Sequence, residues 1–250
     1  MSMIYGHRGA SAYAPENTLE AFEMAAKMGA DGVELDVHLS RDGELVVTHD
    51  ETIERVSDGE GWVKDYTLAE LKRFRFNRTH PEFGDARIPT LREVYELLKP
   101  TGLKINVELK TGFLDYPGIE EKCLELAAKM GMSGRTLYSS FNHHSLRRIR
   151  EMDPAMPCGM LYMNVMLEPW EYAAKHHMNA LHPHFAELRI PDLVRNAHAC
   201  QIEVNPWTVN SEEELIGCLR LGADRIITNF PDRGVRMREM LEKGKRDEAE

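Results

Sequence analysis

Two histidines and three carboxylates stand out in the sequence because each falls inside or at the end of a strand-like run. They are His7 (after Tyr5-Gly6), Glu34 and Asp36 (within Val33-Glu34-Leu35-Asp36-Val37), His49 (after Val47-Thr48) and Glu108 (within Asn106-Val107-Glu108-Leu109). Strand side chains alternate, so Glu34, Asp36 and His38 share one face, and Asn106, Glu108 and Lys110 share another. Carboxylates brought together in a poorly solvated place repel, and a cation is the natural compensator. Donors that are all oxygen favour a hard divalent ion, Mg²⁺ or Ca²⁺, over zinc. Imidazoles transfer protons near neutral pH, and a pair of them could act as base and acid on opposite sides of a phosphorus atom. The set as a whole suits hydrolysis or transfer at a phosphate.

Such residues need a scaffold that gathers them from distant segments. A short apolar run followed by an amphipathic stretch recurs about eight times, the number that closes a parallel (β/α)₈ TIM barrel. The spacing predicts strands at residues 3–5, 32–38, 104–109, 135–139, 157–161, 180–182, 203–207 and 225–228. The first helix is expected near Thr18, with Asn17 as its cap and Glu20 completing a capping box. No Gly-rich dinucleotide fingerprint follows the first strand, which argues against an open doubly wound sheet. A single strand with polar alternation could be a solvated face. Two of them, in a repeat that buries its strands, point to the barrel axis. His7 and His49 are both read as strand ends, where barrel enzymes carry their chemistry.

Residues 51–89 interrupt the rhythm. They hold Trp62, Tyr66, Phe74, Phe76 and Phe83, plus a capping box at Thr67 and Glu70, and end before a second box at Thr90 and Glu93. A connection this long is expected to fold on itself, here as a small helical insertion over the barrel mouth. The 250 residues are otherwise read as one barrel domain, and residues 243–250, charged or small, as a frayed end.

With 42% hydrophobic and 29% charged residues the composition is that of an ordinary globular protein. A formal net charge of −10 argues against nucleic acid as a partner, and no apolar run could insert into a membrane. An anionic substrate must therefore be held by local charge. Cys123, Cys158, Cys200 and Cys218 form no metal or redox pair, and the N-terminus shows no leader, so a cytoplasmic location is expected. His143, His144, His176, His177, His182 and His184 read as surface or loop histidines. A homo-oligomer is compatible with the sequence, which does not specify one.

The segments His7-Arg8-Gly9-Ala10-Ser11, Pro15-Glu16-Asn17-Thr18 and Glu34-Leu35-Asp36-Val37 resemble the glycerophosphodiester phosphodiesterase family. So do Val47-Thr48-His49-Asp50, Glu108-Leu109-Lys110, Ser140-Phe141, Trp207-Thr208-Val209-Asn210 and Thr228-Asn229-Phe230-Pro231, all in family order. The resemblance implies a TIM barrel with an insertion, and one divalent cation on Glu34, Asp36 and Glu108. It further implies His7 and His49 as the acid–base pair, Arg8 and Lys110 on the phosphate, and Phe141 and Trp207 lining the glycerol or leaving-group side. The implied reaction splits a small-molecule glycerophosphodiester into sn-glycerol 3-phosphate and an alcohol. Three other readings compete. A lysophospholipase D would use the aromatic insertion for an acyl chain. A barrel isomerase or lyase acting on a phosphorylated sugar would need only one base beside a carbonyl. A binding module would be expected to have lost His7 or His49.

Overall fold

A computed structural model describes residues 1–247. Its strands are β1 (Met3–His7), β2 (Gly32–Leu39), β3 (Leu45–Val47), β4 (Lys104–Leu109), β5 (Thr136–Ser140), β6 (Cys158–Tyr162), β7 (Ala180–Pro183), β8 (Glu203–Val204) and β9 (Arg225–Thr228). All pair in parallel except β3, in the order β8-β7-β6-β5-β4-β2-β1-β9. Eight parallel strands thus form a nearly closed barrel. The seam between β8 and β9 is bridged by single backbone bonds, Asp224 N–H to the Val204 carbonyl and Ile227 N–H to that of Pro206.

Helices α1 (Leu19–Lys27), α2 (Leu68–Leu71), α3 (Leu91–Leu98), α4 (Ile119–Met130), α5 (His143–Met152), α6 (Pro169–Lys175), α7 (Leu193–Ala199), α8 (Glu212–Leu221) and α9 (Pro231–Asp247) complete the described chain. Val33, Leu35, Val37 and Leu39 of β2 and Ile105, Val107 and Leu109 of β4 turn outward into a continuous apolar layer under α1, α3 and α4. That outward commitment is what forces the polar alternates of the same strands inward. Capping boxes close at Thr67/Glu70 and Thr90/Glu93.

Several expectations need correction. Thr18, not Asn17, caps α1, accepting from the Ala21 N–H, and Asn17 sits at φ 58° with its side chain turned to the barrel. The strand that His49 follows, which is not among the eight predicted above, is no parallel barrel strand. After β2 the chain folds back as β3, antiparallel to the end of β2 with Val37 opposite Val47. This hairpin returns His49 to the mouth, where the Thr48 N–H bonds the Asp36 carbonyl. Residues 51–89 carry a 3₁₀ turn at Val63–Asp65 and the short helix α2, joined by turns and packed on Val46, Ile53, Val56, Val63, Leu71, Phe76 and Ile88. Residues 243–247 continue α9 rather than fray, and residues 248–250 of the expected frayed end lie outside the described residues. Among the described residues no helix is long and apolar enough to cross a membrane.

His182 is neither surface nor loop. It lies inside the barrel on β7, 1% exposed, accepting at Nε2 from the Asn205 amide at 2.9 Å. Its ring lies over Gly159 of β6, where any Cβ would overlap it. Burial, reinforced by Arg225, lowers its pKa from 6.5 to about 3. A histidine held neutral in the fold contributes stability that is fully present above pH 6.5 and is lost as pH falls from there towards 3. Urea denaturation at pH 7 and pH 5 should show lower stability at pH 5, and a smaller pH dependence in His182→Gln.

Candidate active site

The mouth of the barrel is organised by a turn directly after β1, where Arg8 (φ 54°) and Gly9 (φ 81°) both take left-handed conformations. A Cβ on Gly9 would meet the Ala21 backbone at 2.6 Å, so only glycine fits there. The turn aims the Arg8 N–H at Glu34 Oε2 (3.0 Å) and sets its guanidinium against Glu16 (2.8 Å) and Asp36 (3.4 Å).

Below that turn, Glu34 and Asp36 from β2 and Glu108 from β4 offer carboxylate oxygens that all lie within 4.8 Å of one another. Asp36 and Glu108 are register partners in adjacent strands, which is why they converge. All three are buried, at 4%, 1% and 8% exposure. Burial first, then the charges of Asp36 and Glu108, pushes the Glu34 carboxyl well above its ordinary range. Glu108 is also raised, by burial and Asp36 against the opposing pull of Lys110. Burial would raise Asp36 too, but His49, Lys110 and Arg8 together with the Asn17 amide hold it low. Lys110 Nζ bonds Glu108 Oε1 at 2.9 Å and approaches Asp36 Oδ1 at 3.6 Å. Asp36 Oδ1 is buried without a hydrogen-bond partner. An all-oxygen cluster with an unpaired member fits a hard divalent cation.

Two imidazoles flank the cluster. His7 Nδ1 bonds Asn229 Oδ1 at 2.7 Å, and its Nε2 lies 3.9 Å from Glu34 Oε2. Since an amide oxygen only accepts, Nδ1 carries the proton and Nε2 keeps its lone pair. Burial and the neighbouring Arg8 lower the His7 pKa from 6.5 to about 3. His49 Nδ1 bonds Asp50 Oδ1 at 2.6 Å, and Asp50 is in turn held by Arg55 Nε at 2.6 Å. Arg55 also makes a bidentate pair with Glu16, at 2.7 Å for both bonds, which links it to Arg8.

A cavity of about 420 Å³ is lined by His7, Arg8, Glu34, His49, Glu108 and Lys110 on one side. Phe141, Leu161, Met163, Trp207 and Ile227 line the other. Phe141 and Trp207 meet edge to face at 5.6 Å, and the Trp207 indole donates to the His182 carbonyl at 2.8 Å. The insertion contributes no lining residue. It stands beside the mouth, reaching the site through Arg55 and stacking Trp62 on Phe113.

The sequence model of the glycerophosphoryl diester phosphodiesterase family matches residues 7–233. The chain belongs to that family. A glycerophosphodiester phosphodiesterase of Caldanaerobacter subterraneus subsp. tengcongensis is 42% identical over 232 residues, covering 92% of this chain and 95% of that one. One from Bacillus altitudinis is 41% identical over 244 residues, covering 96% and 100%. Among solved structures, an Oleispira antarctica phosphodiesterase in complex with the product sn-glycerol-3-phosphate aligns with a TM-score of 0.84 at 28% identity, covering 95% and 96% of the two chains.

In this member of the glycerophosphoryl diester phosphodiesterase family the barrel brings together every residue expected at the site. Sequence reasoning missed their supports. Asn17 donates to Asp36 Oδ2 at 2.8 Å, and Asn229 fixes His7 from 222 positions away. Both lie within the segments that carry the family resemblance, which was the available signal. Arg55 had none, because its role depends on how the insertion folds back.

Proposed function

We propose that this chain hydrolyses glycerophosphodiesters such as glycerophosphocholine and glycerophosphoethanolamine to sn-glycerol 3-phosphate and the free alcohol. The observation that carries this reading is the convergence of Glu34, Asp36 and Glu108 between His7 and His49 in one cavity. Glu34, Asp36 and Glu108 would hold one divalent ion, Mg²⁺ or Ca²⁺. When bound, such an ion supplies Lewis acidity to the phosphoryl group and to a hydroxyl held beside it.

The remaining work falls to the chain itself. Arg8 and Lys110, adjoining the carboxylates, bind the phosphate and offset the charge that grows on its oxygens. His7, neutral and with Nε2 unprotonated, takes the proton from the attacking oxygen, whether the glycerol 2-hydroxyl or water. His49, its Nδ1–H donated to Asp50, gives a proton from Nε2 to the departing alkoxide. Asp50 orients the ring and supplies the counter-charge for its cationic form. Phe141 and Trp207 form the apolar wall against which the carbon skeleton lies.

The insertion lends no support to a lysophospholipase D, because none of its aromatic side chains lines the cavity. Incubation with glycerophosphocholine should release choline and glycerol 3-phosphate in equal amounts. Failure to release glycerol 3-phosphate from the choline, ethanolamine or glycerol diester would end this reading.

A further inference from the structure

The cavity contains two polar side chains for which the reaction above has no use. Asn106 and Ser139 both line it and are 2% and 0% exposed. Neither the Asn106 Oδ1 nor the Ser139 Oγ has a hydrogen-bond partner. Buried polar atoms left unpaired cost stability, so a pair of them facing one cavity points to a group that arrives from outside the chain.

Their positions indicate which group. Asn106 precedes Glu108 by two residues on β4, on the same face, and so lies deeper in the barrel, about 6.6 Å back along the strand. Ser139 of β5 is the register partner of Glu108. At the opposite end the cavity opens past Phe141 and Met163, which are 41% and 61% exposed. A site that accepts diesters of different alcohols must give the variable half the open end. The enclosed end is left for the half that never changes, which is glycerol.

We propose that Asn106 and Ser139 bind the terminal hydroxyl of the glycerol moiety and thereby select diesters in which that hydroxyl is free. The inference rests on the substrate class proposed above. Asn106 Oδ1 accepts the hydroxyl proton, while Ser139 can donate to the same oxygen. An acyl chain on that hydroxyl would remove the donor and would have to enter the enclosed end, so a lysophospholipid is rejected on two counts.

The test compares glycerophosphocholine with 2-hydroxypropyl phosphocholine, the same diester without the terminal hydroxyl. Buried polar groups built to meet a hydroxyl reject the analogue that lacks it, and the wild-type kcat/KM ratio should exceed about 100. In Asn106→Ala and in Ser139→Ala that ratio should each fall about tenfold, because the loss falls on glycerophosphocholine. Both substrates are read on the same preparation, so a partly unfolded variant leaves the ratio interpretable. A wild-type ratio near one, as expected if the pair holds only a buried water, overturns the proposal. So do variants that lose activity equally on both substrates. Absence of wild-type turnover of every glycerophosphodiester would instead overturn the substrate class itself, and this inference with it.

Discussion

His7→Ala and His49→Ala are each expected to lower kcat for glycerophosphocholine by about two to four orders of magnitude, the usual worth of a placed acid or base. The two histidines reach the cavity by unrelated routes, His7 at the end of β1 and His49 through the β2–β3 hairpin, yet both have one ring nitrogen committed to a partner. That commitment leaves Nε2 of each ring to face the chemistry. In the proposed mechanism the two act on one reaction coordinate, so the double variant should be little worse than the poorer single one. KM should change far less than kcat, since neither ring is assigned to ground-state phosphate binding. Wild-type-like kcat in either single variant, measured by glycerol 3-phosphate release, would remove that residue from the mechanism.

Asp36→Asn should be the most damaging change among the carboxylates. Asp36 is the least exposed of the three and the one held low in pKa, surrounded by Arg8, Lys110, His49 and the Asn17 amide. An amide has nearly the same shape but removes the charge that all of those groups answer. It also turns an oxygen with no partner into either a neutral oxygen or an amide donor aimed at the cluster. We expect turnover to fall more than about 100-fold, beyond the range seen when only an outer partner of a metal ligand is lost. The milder change Asn17→Ala removes such an outer partner and should cost about 10- to 100-fold. If Asp36→Asn and Asn17→Ala cost the same, Asp36 is a structural carboxylate and not a ligand.

Much of this site is legible from alternation alone. Val33, Leu35 and Val37 must face one way to meet the helices, so Glu34 and Asp36 must face the other, and the same logic brings Asn106 and Glu108 in from β4. The fold class follows from the repeat for the same reason. What alternation cannot convey is strand direction: a three-residue run such as Leu45–Val47 reads identically whether it continues the parallel barrel or doubles back. Sequence therefore puts His49 at a strand end without showing that this strand doubles back on β2. Asn17 and Thr18 are both good caps, and only the left-handed backbone at Asn17 decides which caps α1 and which reaches Asp36. His182 is misread although it ends the run predicted as a strand at residues 180–182, because no mark in the sequence tells a histidine that lies over a glycine of the neighbouring strand from one that faces solvent. The insertion hides its one contribution to the site, Arg55, behind a tertiary path through Glu16 and Asp50.

The proposed mechanism depends above all on Glu34, Asp36 and Glu108 gathering around a single divalent ion. Calorimetric titration of exhaustively chelated protein with Mg²⁺ and with Ca²⁺, followed by turnover of the same samples, tests this most directly. One ion should bind per chain and restore an activity that chelation had abolished, and Asp36→Asn should show neither effect. Full turnover by the ion-free protein, or unchanged binding by Asp36→Asn, would contradict it.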